Sequence, residues 1–114
     1  SLKNFRIGIL GITYRPGVKE VAFSGSLDLL KLFKKEKAFV YGFDPFYTAS
    51  EIESLGFSYA NDYTDLDGIV IHTAHPEFLE IDFELIPKLK FLYDGRNMFP
   101  HLNYSQNKFI YLSI

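Results

Sequence analysis

The sequence predicts an α/β fold in which a mainly parallel sheet of five or six strands carries helices on both faces. Short apolar runs bounded by glycine, proline or acidic residues alternate along the chain with segments of helical spacing. This alternation supplies the crossover connections that parallel neighbours need. Because no linker or internal repeat interrupts it, we expect a single domain over residues 1–114.

Two strands and two helices are predicted in the first half of the chain. Residues 5–10 form a continuous apolar run, which is typical of a buried parallel strand, and residues 39–43 form the second strand. Between them, apolar residues recur at helical spacing over residues 27–35. Thr48 and Glu51 have the spacing of a capping box, which predicts the start of a short second helix.

The second half of the chain predicts the rest of the sheet. Residues 57–59 are a weak third strand, and residues 68–73, with three consecutive β-favouring side chains, are the fourth. Residues 82–89 can form a brief helix before a fifth strand at residues 90–93, and residues 109–112 predict a sixth strand at the sheet edge. Together these elements predict a Rossmann-like arrangement.

In sheets of this kind, ligands bind beyond the carboxyl ends of the strands, where the strand order reverses. We expect the reversal between the first strand and the strand at residues 68–73. Three loops are then expected to line the site: residues 11–17, 73–78 and 94–97.

Two of these loops carry an arginine. The first contains Tyr14 and Arg15, followed by a Pro-Gly turn, and the third contains Arg96. A guanidinium group is always charged and donates planar hydrogen bonds that suit phosphate or carboxylate oxygens, and an aromatic ring packs on a base or a sugar. Each arginine alone is consistent with a solvated surface residue, but their common edge of the sheet favours one anionic ligand bound by Tyr14, Arg15 and Arg96.

An independent dinucleotide site is not favoured, although Gly8, Gly11 and Asp44 occupy positions typical of a dinucleotide-binding half-sheet. A phosphate-cradling turn needs glycines that lead directly into a helix, and a proline-containing loop follows Gly11 instead. We interpret Asp44 as a brace for the turn after it and assign no cofactor-binding residue. His72 is interpreted as a hydrogen-bonded core group of a central strand, and His75 as a turn residue before Pro76. No third metal ligand has regular spacing with them, so we expect no metal.

Composition argues against several classes of function. The net charge is −2 and the basic residues are dispersed, so neither a nucleic acid nor a membrane is expected as a partner. The chain has no cysteine, which excludes a thiol nucleophile and a thiolate metal site within it. No apolar run approaches the ~20 residues of a membrane span, and no signal-peptide pattern is present, so a cytoplasmic location is expected.

One stretch, residues 8–17, reads GILGITYRPG. It resembles the opening of the C-terminal domain of the UDP-glucose/GDP-mannose dehydrogenase family, in which a strand leads into an aromatic residue and a basic residue. Later landmarks keep the family's order: YGFDP at residues 41–45, HTAHPEF at residues 72–78 and YDGRN at residues 93–97. The resemblance covers roughly residues 5–99.

The resemblance implies a function. Family members oxidise C6 of a nucleotide sugar to a carboxylate in two NAD-dependent steps, through a cysteine-bound intermediate. It implies that this chain is the nucleotide-sugar (UDP)-binding domain, with Arg15 and Arg96 on the diphosphate and sugar of a UDP-sugar and Tyr14 beside them. NAD and the catalytic residues are then held by upstream domains of the same enzyme. The full enzyme is expected to be a homo-oligomer, and the isolated chain to be inactive.

The chain departs from the family at Ala22, where members commonly have an arginine that leans toward NAD. An alternative to the enzyme domain is a stand-alone Rossmann-like nucleotide-binding or regulatory module without catalysis. In that module the two arginines would hold a signalling nucleotide or a partner carboxylate. A third alternative is an interaction domain that binds no nucleotide.

Overall fold

The computed structural model describes residues 1–13, 25–100, 102 and 108–113. Within them, five strands form one parallel sheet in the order β2-β1-β3-β4-β5. The strands are β1 (Arg6–Leu10), β2 (Phe39–Phe43), β3 (Gly68–Ile71), β4 (Phe91–Asp94) and β5 (Ile110–Ser113). The α/β fold class predicted from the sequence is confirmed.

The α-helices are α1 (Ser26–Lys35) and α2 (Ala49–Ser54). The capping box predicted for α2 is present: the Thr48 hydroxyl accepts a hydrogen bond from the Glu51 N–H at 3.2 Å, and the Glu51 carboxylate accepts one from the Thr48 N–H at 3.0 Å. Gly56, with a φ of 105°, follows the end of this helix. No helix in the described part of the chain is long and apolar enough to cross a membrane.

The helix predicted at residues 82–89 is shorter than expected and is a 3₁₀ helix, Phe83–Leu85. Pro87 lacks a backbone N–H and disfavours a helical conformation in the residue before it. Accordingly, Ile86 has a φ of −118° and a ψ of 77°. A second 3₁₀ helix, Pro76–Glu80, precedes it, so short 3₁₀ turns rather than an α-helix lie in the crossover from β3 to β4.

The weak strand predicted at residues 57–59 is reduced to a single parallel bridge between Ser58 and β2. The Ser58 N–H donates to the Val40 carbonyl at 2.8 Å, and the Gly42 N–H donates to the Ser58 carbonyl at 3.1 Å. Only Phe57 of the three predicted residues is buried. This segment therefore has too little apolar surface to extend the sheet.

Side chains of the strands alternate between two apolar layers, one on each face of the sheet. The layer on the side of α1 and α2 contains aliphatic residues of both helices and of β1 and β2: Ile7, Ile9, Leu30, Val40 and Ile52. The layer on the opposite side includes residues from the 3₁₀ helix Pro76–Glu80 and from the loop after β4: Leu10, Ile69, Phe78, Leu92 and Phe99. Because both faces are buried, the sheet is a rigid support for its loops.

The strand order reverses between β1 and β3, as the sequence predicts. Gly11, the first residue after β1, has a φ of 88°, and a Cβ atom placed on it would lie 2.4 Å from the Cβ of Thr73. Only glycine allows both this conformation and this approach. The two loops therefore touch at backbone distance.

Replacing Gly11 with alanine is expected to lower the free energy of unfolding by about 2 to 4 kcal/mol, since it adds both backbone strain and a steric clash. Urea denaturation measures the loss. Gly25→Ala is the matched control: Gly25 has a φ of −64°, and its new Cβ would approach the His72 ring at 3.2 Å. Equal stabilities of the two variants would contradict the close packing at Gly11.

Candidate functional site

The loops after β1, β3 and β4 meet at the carboxyl edge of the sheet. The Leu10 carbonyl accepts hydrogen bonds from the N–H groups of His72 and Thr73, at 2.8 and 3.1 Å. The Nδ1 atom of His72 lies 2.9 Å from the Gly11 carbonyl oxygen. Arg96 completes the junction, because its Nε–H donates to the His72 carbonyl at 2.8 Å. His72 thus contacts the described parts of both neighbouring loops.

Arg96 is exposed and is held by one side of its guanidinium group. Its Nε–H donates a hydrogen bond to the His72 carbonyl. Among the described residues, none forms a hydrogen bond or an ion pair with its two terminal amino groups. A guanidinium group has five N–H donors. Arg96 therefore offers a fixed, planar pair of amino groups to an anion.

The backbone that carries Arg96 is arranged around the carboxylate of Asp94, which is completely buried. One oxygen accepts from the N–H groups of Met98 at 2.9 Å and Arg96 at 3.3 Å. The other oxygen accepts from the Phe99 N–H and the Tyr111 hydroxyl, both at 2.7 Å. These four donors satisfy the charge of Asp94, so the turn around it is well determined.

A second buried carboxylate, Asp44, holds the described start of the first loop. Its oxygens accept from the N–H groups of Ile12 at 2.8 Å and Phe46 at 2.9 Å, and the Nε2 atom of His75 lies 3.4 Å away. The carbonyl of Ile12 accepts from the buried Ser26 hydroxyl at 2.8 Å. Asp44 is therefore a brace, as the sequence predicts, and Ile12 is held at both its N–H and its carbonyl.

Tyr14 and Arg15 lie outside the described residues, which resume at residue 25. Of the three predicted site residues, the structure places Arg96, at the predicted edge of the sheet. The convergence of Arg15 with Arg96 on one ligand stays a prediction.

The sequence does not predict three supporting residues of the site: Ser26, Asp94 and Tyr111. For Asp94 a signal exists, because an acidic residue directly before glycine at the end of a strand is placed to accept N–H groups of its own turn. Ser26 and Tyr111 are 14 and 17 residues from their partners. No local pattern could have identified them.

The two histidines of the second loop differ in environment. His75 is completely buried, and its ring centroid lies 5.5 Å from that of Phe46 and 5.6 Å from that of Phe78. Burial lowers the pKa of His72 below its usual 6.5, the charge of Arg96 adds to this effect, and the hydrogen bond to Gly11 opposes it. In the described part of the chain, no group of three or more His, Cys, Asp or Glu residues could hold a metal ion.

The lowered pKa of His72 predicts a pH dependence of stability. Because the unfolded chain binds this proton more readily than the folded one, the stability contributed by the neutral ring is present above about pH 6.5 and is lost as the pH falls below it. His72→Asn keeps an N–H donor near the position of Nδ1 but cannot titrate. We expect its unfolding free energy, measured by urea denaturation, to fall less than that of the wild type between about pH 7 and 5. Equal slopes would refute this assignment.

Comparison with known proteins gives a consistent result. Residues 8–101 match the model of the UDP-glucose/GDP-mannose dehydrogenase family, UDP binding domain. The UDP-glucose 6-dehydrogenase TuaD of Bacillus subtilis is 28% identical over all of this chain and 27% of its own length. A UDP-N-acetyl-D-mannosamine dehydrogenase of Pyrococcus horikoshii is 30% identical over 81% of this chain and 22% of its own length. The chain thus spans about a quarter of the length of these relatives.

Solved structures show the same architecture. A UDP-D-ManNAc dehydrogenase from Pyrococcus horikoshii superposes with a TM-score of 0.70 at 25% identity, covering 99% of this chain and 26% of that one. The UDP-N-acetyl-mannosamine dehydrogenase Cap5O of Staphylococcus aureus gives 0.69 at 20% identity, covering 98% of this chain and 26% of its own. The family match spans most of the chain, and the chain belongs to the UDP-glucose/GDP-mannose dehydrogenase family, in which it corresponds to the UDP binding domain.

Proposed function

We propose that this chain is the substrate-binding domain of an NAD-dependent nucleotide-sugar 6-dehydrogenase and holds the diphosphate and sugar of a UDP-sugar through Tyr14, Arg15 and Arg96. The proposal rests on one observation, the fixed position of the Arg96 guanidinium group with its two amino groups available. It is fixed at the reversal point of the sheet by the bond to His72, and its terminal amino groups have no partner among the described residues.

Electrostatics supports a diphosphate as the ligand. Guanidinium groups bind phosphate oxygens through parallel, charge-assisted hydrogen bonds. A fixed arginine loses little side-chain entropy on binding, which favours affinity. Arg15 is only three residues beyond Ile12 in the sequence, and Ile12 is held at its N–H and its carbonyl. The first loop therefore begins at a fixed residue, and its first residue, Gly11, is linked to Arg96 through His72.

The described residues do not fit an NAD site of their own. The two carboxylate oxygens of Asp44 accept N–H groups of the protein, so this residue is not available to a ribose. Among the described residues, the first helix after Gly11 is α1, which begins at Ser26, and residues 12 and 13 are not helical. We propose that NAD and a catalytic cysteine belong to other domains of the enzyme. Closure of this domain on them would orient the sugar and exclude water.

Calorimetric titration with UDP-glucose tests the binding role. The wild-type chain is expected to bind, and Arg96→Ala and Arg15→Ala are each expected to weaken binding by about tenfold to a hundredfold, since each removes charge-assisted hydrogen bonds. Arg6→Ala is the matched control, because Arg6 begins β1 at the opposite edge of the sheet and lies 3.9 Å from Asp65. Unchanged affinity of Arg96→Ala would reject the proposed site.

The isolated chain is expected to have no dehydrogenase activity, because its sequence has no cysteine and its described residues do not fit an NAD site. The measurement is the absorbance of NADH during incubation with NAD and either UDP-glucose or UDP-N-acetylmannosamine. A full-length family enzyme is the positive control. Formation of NADH by this chain alone would refute the proposal that NAD and the catalytic cysteine belong to other domains.

A further inference from the structure

Strand β5 is an edge strand of the described sheet. It pairs with β4 alone among the described strands, with Leu92 opposite Tyr111. Ile110, Leu112 and Ser113 are exposed, whereas only 4% of Tyr111 is accessible. Tyr111 is therefore the side chain through which this strand enters the core.

The hydroxyl of Tyr111 donates a hydrogen bond to the carboxylate of Asp94. A buried tyrosine hydroxyl needs a polar partner, and a buried carboxylate needs donors on both oxygens. Three of the four donors to Asp94 are N–H groups of the turn that follows it, and the hydroxyl is the one donor that reaches it from another element of the described structure. The hydroxyl thus supplies the only hydrogen bond in this set that fixes the carboxylate relative to the rest of the sheet.

The Asp94 carboxylate is joined to the backbone of Arg96 by one hydrogen bond, and the Arg96 side chain is joined in turn to His72. The Arg96 N–H donates to Asp94 at 3.3 Å, the longest of the four bonds, and the side chain is held separately by its Nε–H on the His72 carbonyl at 2.8 Å. Asn97 has a φ of 54°, so the turn also contains a left-handed residue that depends on its surroundings. Rotation of the carboxylate would loosen the turn and with it the Nε–H bond.

We propose that Tyr111 is a positioning residue for Arg96: its hydroxyl locks the Asp94 carboxylate, and the locked turn presents the guanidinium group to the nucleotide diphosphate. This inference rests on the proposed function of Arg96. It assigns a role in the site to a strand that lies beyond residues 8–101, the range matched by the family model. The edge strand β5 is then coupled to substrate binding through one hydroxyl group.

Hydrogen exchange of the ligand-free protein, followed by NMR, tests the structural half of this inference. Tyr111→Phe keeps the ring and removes the hydroxyl. Exchange of the Arg96 Nε–H and of the Phe99 amide is expected to become roughly tenfold faster, since a hydrogen bond to a charged group is lost. The amide of Ile9, in the interior strand β1, is expected to keep its wild-type rate.

The matched control is Tyr63→Phe, which removes a hydroxyl from a half-buried tyrosine packed against the same apolar layer, with its ring 4.7 Å from that of Phe43. It is expected to leave the Arg96 Nε–H unchanged. An unchanged Arg96 rate in Tyr111→Phe would overturn the proposal. Equal acceleration at Arg96 and Ile9 would also overturn it, because that pattern indicates a general loss of stability.

Titration with UDP-glucose tests the functional half. Tyr111→Phe is expected to bind about threefold to tenfold more weakly than the wild type, with Tyr63→Phe unchanged. If the wild-type chain does not bind UDP-glucose, the proposed function fails, whereas the link from Tyr111 to Arg96 is still decided by hydrogen exchange. If exchange at Arg96 accelerates but affinity is unchanged, the positioning role is refuted.

Discussion

The need to satisfy two buried carboxylates determines the arrangement of the loops at the carboxyl edge of the sheet. A carboxylate out of contact with water is stable only when donors surround both oxygens. Asp94, the last residue of β4, and Asp44, which follows β2, meet this need mainly with backbone N–H groups of nearby loops. The loops fold around these two charges, and the sheet holds the charges in place.

This arrangement makes the proposed anion site compatible with the buried acidic residues around it. An unsatisfied carboxylate at Asp94, beside Arg96, would repel a phosphate or form an ion pair with the guanidinium group. Instead, the negative charges are directed at N–H groups, at the Tyr111 hydroxyl and toward the His75 ring. Arg96 is left with a neutral anchor, the carbonyl of His72. Its positive charge is thereby kept for a ligand.

Most of the fold could be predicted because local patterns determine it. The apolar run of β1 indicates a buried strand, and the spacing of Thr48 and Glu51 indicates the start of a helix. The reversal point followed from the alternation of strands and crossovers, and it located Arg96. By contrast, the bonds from Ser26 and Tyr111 join residues that are distant in sequence, and they depend on register and rotamer. A pattern of residue types does not specify these quantities.

The outer margin of β5 has a consequence for handling the protein. Ile110 and Leu112 are 63% and 53% exposed, and no described strand lies beyond them. An open strand with apolar side chains is a template for pairing with a second polypeptide. No strand of the described structure covers that margin, so it is open to self-association in a preparation of this domain by itself. Lysine at either position would keep it dispersed without touching the buried face of the strand.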